Sequence, residues 1–172
     1  MEITNLQAVL KHQYHAGMGM LGEAIERCPE TLWTDTGYTN PFWHIVYHTL
    51  FYTHLYLQPD EHAFTPWERD IPEYHYLGPL PWPPHRVLHI SDPYTKEQLQ
   101  EYWGLCEAMI DPAVDLLDLT AADCGFSWYS MSKIEHQLSN IRHLQHHTGQ
   151  LADRVRNVAQ SGIEWNYMVS HA

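Results

Sequence analysis

Positive charge is scarce in this chain. Nine Lys and Arg stand against 21 Asp and Glu, a net charge of -12 with neutral histidines. An acidic surface repels phosphate backbones, and no cluster of basic residues offers a local exception, so nucleic acid is excluded as a partner. Cysteine is nearly absent. Cys28, Cys106 and Cys124 are odd in number and show no CxxC spacing, which excludes a disulfide framework and reads as buried or incidental thiols in a reducing compartment. Long apolar runs are also missing. The longest, from Pro41 to Leu57, is interrupted by His44, His48 and His54, too short and too polar to cross a membrane. The first residues, MEITNLQAVLKH, lack the basic start and small-residue cleavage site of a signal peptide, so a cytoplasmic location is expected.

Several catalytic signatures are missing too. No HExxH occurs, against a zincin-type hydrolase, and no Glu-x-x-His, against a ferritin-like di-iron site. Neither GxSxG, a phosphate-cradling glycine loop nor a dinucleotide fingerprint is found.

The residues present describe a globular chain. Hydrophobic residues make up 44% and charged ones 17% of 172 residues, enough for one domain spanning 1–172 with a core of its own. Leu6, Leu10, Tyr14, Met18, Leu21 and Ile25 recur every three or four residues, predicting a first helix over 3–27 that ends at Cys28-Pro29. Asn40 as N-cap and Pro41 in the first helical position predict a second, largely buried helix that stops before Pro59. Eight prolines then fill 58–93, a long crossover incompatible with helix. A loop of this length either covers a site or simply spans the fold. Thr95-Lys-Glu-Gln98 has capping-box form and opens a third helix, which Asp111-Pro112 kinks or ends. Ser132-Lys-Ile-Glu135 opens the fourth, which runs to Ser161-Gly162 and leaves a tail over 163–172. The expected fold is all-α: a four-helix bundle with one long Pro-rich crossover between the second and third helices.

One residue type is in excess. Fourteen histidines are several times what an average composition supplies. Three pairs share the His-x-x-x-His spacing: His44/His48, His85/His89 and His143/His147. On a helix, residues four apart share a face and two imidazoles can converge on one ion. His85 and His89 follow the Pro-rich run, off any helix, so their spacing carries little meaning. His143 and His147 continue into Leu151, Val155 and Val158, which points them inward. A metal would satisfy both; hydrogen bonds to tyrosines or backbone carbonyls are the alternative. By position alone, either His44 or His48 supplies a third ligand from across the fold. His146 is expected to be exposed, His136 to lie at the rim of the last helix, and His12 and His15 to be boundary or surface residues.

The run His143-Leu-Gln-His-His147-Thr-Gly149-Gln150-Leu151 resembles the His-x-x-x-His-x-Gly-Gln-hydrophobic run of the DinB/YfiT-like superfamily of metal-binding four-helix bundles. The segment Asn40-Pro-Phe-Trp43-His-Ile-Val-Tyr-His48 is similar to the helix in which a Trp or Leu precedes a metal histidine there. Gly162-Ile163-Glu164-Trp165 is loosely similar to a stretch that follows the last helix in some members. The resemblance implies a metal triad of His48, His143 and His147, with His44 leaving the register of the second helix ambiguous. It implies a divalent transition metal, zinc or nickel first, with iron or manganese as alternatives. It also implies a small-molecule partner, a low-molecular-weight thiol in the metal-dependent transferases of that superfamily.

Two readings follow. In the first, the chain is a metal-dependent enzyme of thiol-transferase type, the open fourth position of a three-histidine site taking water or a thiol. Gln150, Tyr47 and Tyr52 are the nearest candidates for orienting the rings, and the spacing does not separate thiol transfer from metal-dependent hydrolysis. In the second, the metal only stabilises a binding or dimerisation module, which a fourth protein ligand such as His44 or His15 would favour. Seven tryptophans and eleven tyrosines are consistent with a homodimer.

Overall fold

A computed structural model describes residues 3–166. Among them the chain is all-helical, with α1 (Ile3–Arg27), the short α2 (Glu30–Trp33), α3 (Phe42–Tyr56), α4 (Lys96–Leu116) and α5 (Lys133–Ala159), and no strand. Of the expected tail, residues 167–172 lie outside the described residues. The helix α1 packs against α4 and α5, and α3 packs against the same two, so the four long helices enclose one hydrophobic core. None of the described helices is long and apolar enough to cross a membrane.

Local chemistry accounts for most of the boundaries. The α1 stripe of Leu10, Tyr14, Met18, Leu21 and Ile25 is buried as its spacing requires, each large side chain contributing about 1.5–3 kcal/mol of transfer energy. Thr95 and Gln98 form a reciprocal capping box at the start of α4, and the Ser132 side chain accepts from the Glu135 backbone N–H at the start of α5. Two boundaries are corrected and one alternative is decided. Pro41 is itself the N-cap of α3, so the helix begins at Phe42. Of the two outcomes open at Asp111-Pro112, the helix α4 does not end there but continues through Pro112 to Leu116. At the end of α5, Gln160 takes the left-handed conformation two residues before Gly162.

The helix α3 is buried on nearly every side. Of its fifteen residues only His48 and Tyr52, one turn apart, are not fully buried. Residues 57–95 contain no helix, and this crossover folds onto the core through Trp67, Tyr74 and Tyr94. Trp67 stacks on Tyr102 at 4.6 Å and 3°, and the Trp33 indole donates to the Tyr94 carbonyl at 2.9 Å. Aromatic packing thus gives a segment without ladders or helical bonds a defined place.

The loop between α4 and α5 meets the start of the crossover at a tight junction. The buried Lys133 ammonium donates to the carbonyls of Pro59 (2.6 Å) and Cys124, and the Glu61 amide donates to the Gly125 carbonyl. Gly125 sits at φ +82°, where a Cβ would lie 2.6 Å from the Pro59 carbonyl oxygen. Left-handed backbone costs an L-residue about 1–2 kcal/mol, and the clash with backbone adds to it. The variant Gly125→Ala is therefore expected to lose about 2–4 kcal/mol, read as a lower urea midpoint at unchanged slope. A midpoint within error of the parent would show that this junction is loose.

Candidate metal centre

Two helices that face each other across the core supply the centre. His48 comes from the one turn of α3 that is not fully buried, and His143 and His147 stand one turn apart on α5, whose apolar stripe continues into Leu151 and Val155. One ring nitrogen from each of the three histidines lies within 4.8 Å of the other two. Their ring centroids are 4.6–5.0 Å apart.

Hydrogen bonds decide which nitrogens converge. His48 Nδ1 lies 2.6 Å from the His75 carbonyl, which can only accept, so Nδ1 carries the proton. His147 Nδ1 faces Gln150 Oε1 at 2.8 Å and donates to it. Both rings are thereby held with Nε2 unprotonated, the arrangement in which an outer acceptor fixes tautomer and orientation and leaves Nε2 as the donor atom to a metal. His48 Nε2 and His143 Nε2 stand 3.0 Å apart, close to the spacing of about 3.3 Å that two nitrogens adopt on one tetrahedral zinc. His143 Nδ1 is buried with no hydrogen-bond partner. This donor set fits a divalent transition metal.

The electrostatics agree. Burial pushes His48 down to about 2 and His143 down to about 4, with neighbouring imidazoles adding to the effect. Burial lowers His147 as well, against the opposing pull of Gln150. All three are neutral near pH 7, the form in which imidazole binds a metal.

The other histidines fall elsewhere. His44 stacks on Trp43 and bonds the Tyr74 carbonyl at 2.7 Å, outside the cluster. His15 faces Glu107 at 2.5 Å and Asp111 at 3.0 Å. Burial alone would lower its pKa, but the two carboxylates outweigh it and the net shift is upward. His12 is half-buried on α1, His146 is exposed, and His85 and His89 are exposed in the crossover. Neither His44 nor His15 joins as a fourth ligand; among the described residues the cluster has three.

His136 requires a correction. It is 1% exposed instead of lying at a rim, because Phe126 and Tyr129 fold back over the start of α5 and pack with Tyr56 around its ring. Tyr47 does not orient a histidine either; its hydroxyl donates to Asp70. Tyr52 makes no hydrogen bond to the histidines and packs edge-on against His48 at 4.9 Å and His143 at 5.4 Å. Sequence reasoning missed His75, whose backbone carbonyl orients His48 and whose ring stacks on Phe51 at 4.0 Å. No sequence signal marks a carbonyl, since every residue has one. The crossover therefore reaches the candidate site, through the His75 carbonyl, as well as spanning the fold.

Beside the histidines lies a cavity of about 210 Å³, lined by His48, His143, Tyr52, Tyr129 and Ser139 among others. Comparison with protein-family models, with curated proteins and with solved structures finds no match to this chain.

Proposed function

We propose that the chain is a divalent-metal-binding four-helix bundle of the DinB/YfiT-like kind, with His48, His143 and His147 as ligands to zinc or nickel. The observation that carries this reading is the convergence of three ring nitrogens within 4.8 Å, two of the rings locked from outside with Nε2 unprotonated. The resemblance of the α5 motif and the ring of four long helices support the family. Iron or manganese would bind the same donors less tightly, since affinity for divalent first-row ions rises from manganese through iron to nickel.

A divalent ion held by three neutral nitrogens supplies an open position that lowers the pKa of a water or thiol placed there. The protein's part is to orient the rings through the His75 carbonyl and Gln150. Thiol transfer is the reaction type the family resemblance suggests, and the adjoining cavity gives a small-molecule partner a place beside the histidines. Three protein ligands, with His44 and His15 engaged elsewhere, favour an open site over a closed structural one.

The test is metal content by mass spectrometry on untagged protein purified without chelators, beside a His143→Ala, His147→Ala variant. Near-stoichiometric zinc or nickel is expected in the parent and none in the variant. An empty parent that takes up no added zinc or nickel, with both proteins folded, would reduce the histidines to core polar groups.

A further inference from the structure

A groove of about 850 Å³ adjoins the inner cavity. Phe51, Phe64, Tyr76, Trp82 and Trp128 line it, and Tyr52, Tyr56 and Tyr129 belong to both spaces. Its rim exposes two large indoles: Trp82 is 51% and Trp128 53% exposed. An aromatic side chain buries 150–250 Å² when covered, so two half-exposed indoles beside one groove mark a surface suited to a flat apolar group. Glu61 lines the groove together with the imidazoles of His62 and His75, and neither space is lined by Lys or Arg.

The inner end differs in chemistry. Tyr52 and Ser139 are half-buried, line the small cavity beside His48 and His143, and carry hydroxyls that can both donate and accept. Tyr52, one of the two residues of α3 that are not fully buried, stands where groove and cavity meet.

Resting on the metal-centre reading above, we infer that the site takes an uncharged aryl compound: its ring lies in the groove against Trp82 and Trp128, and a short arm passes Tyr52 to present a thiol or hydroxyl to the histidines. A thiol arriving this way binds as thiolate and gives its proton to solvent. The lining, with Glu61 and no Lys or Arg, disfavours the carboxylate-bearing thiols, because a carboxylate in the groove meets Glu61 and aromatic faces, and the one exposed imidazole there, His62, already lies 3.8 Å from Glu61.

Two arms test this. In cobalt-loaded protein, 2-phenylethanethiol, 2-mercaptoethanol and 3-mercaptopropanoate are titrated, with the thiolate-to-cobalt absorption band as readout. All three bring the same sulfur, so differences report the groove. The phenyl thiol is expected to bind at least tenfold tighter than mercaptoethanol, and the carboxylate weakest. Trp128→Ala, an exposed position, should erase most of the phenyl preference without changing cobalt content. In the second arm, chelator-treated protein is titrated with 2-phenylethanol by saturation-transfer NMR, which needs no metal. Millimolar binding that weakens several-fold in Trp128→Ala supports the groove even where cobalt uptake fails, so the two readings fail separately. Equal affinity for all three thiols, a preference for the carboxylate, or phenylethanol binding indifferent to Trp128→Ala would overturn the inference.

Discussion

Acidification to about pH 4.5 in the presence of a chelator is expected to remove on the order of 4 kcal/mol of stability through His54 and His136 alone, and more through the metal-free His48 and His143, which burial also holds low. His54 and His136 are buried, at 8% and 1% exposure. Burial pushes each down to about 4, and the nearby Lys133 ammonium adds to the effect at His136. His44 moves the same way by burial. In the unfolded chain these groups take up a proton near 6.5, so below that pH the unfolded state binds more protons than the folded one. Stability is therefore present above about pH 6.5 and is lost as the pH falls towards the folded values. His15 acts in the opposite sense. Its raised pKa contributes stability that is present below about 6.5 and lost as the pH rises through its folded value, which offsets part of the loss. Since a domain of this size is stable by about 5–15 kcal/mol, the net change is a large fraction of the total.

Urea unfolding at a series of pH values checks this. The variant His136→Leu sharpens the test, because His136 Nε2 is buried without a partner, and the one side-chain hydrogen bond its loss gives up, a long 3.5 Å bond from Gln137 Nε2, leaves that amide still donating to the Tyr56 carbonyl. It should take about 2 kcal/mol out of the acid limb while leaving stability at neutral pH little changed. An acid limb that begins only below about pH 4.5, where carboxylates titrate, would show that these histidines are hydrated in solution.

Zinc is expected to raise thermal stability in a manner that depends on His147. A ligand at about a hundredfold its Kd stabilises by about 2.7 kcal/mol, which for a chain of this length means a Tm higher by about 5–11 °C. Structural zinc sites hold the ion with about 10–16 kcal/mol. Losing one protein ligand should therefore weaken binding by about two orders of magnitude or more, and His147→Ala should show no zinc-dependent shift at the same concentration. Gln150→Ala keeps all three ligands but frees the ring of His147, so a loss of about 10- to 100-fold in affinity is expected. Scanning calorimetry at fixed zinc, with and without chelator, distinguishes the three proteins. A zinc-induced shift that persists in His147→Ala would place the metal elsewhere on the chain.

The helices and half of the metal centre were legible in the residues themselves. The α1 stripe, the capping residues Thr95 and Ser132, and the His143/His147 pair are all local patterns, governed by a helical repeat that a single segment can display. Which α3 histidine joins them is not local. His44 and His48 stand four residues apart on the same helix, and the family resemblance, not the spacing, singled out His48. The fold separates them because the crossover presents the Tyr74 carbonyl to one and the His75 carbonyl to the other, turning only His48 towards α5. His136 was misplaced for a related reason: its burial comes from Phe126 and Tyr129, supplied by a loop whose path no periodicity encodes.

By itself, then, the sequence determined the helical segments, the acidic composition and the choice of imidazole over thiolate or carboxylate as the candidate donor, since these depend on residue type and short-range spacing. Only the tertiary structure decided which ring nitrogens meet, which backbone carbonyl orients each ring, and that an aromatic groove adjoins the histidines. Those features arise between segments far apart along the chain, where geometry is set by packing and not by the pattern of any one of them.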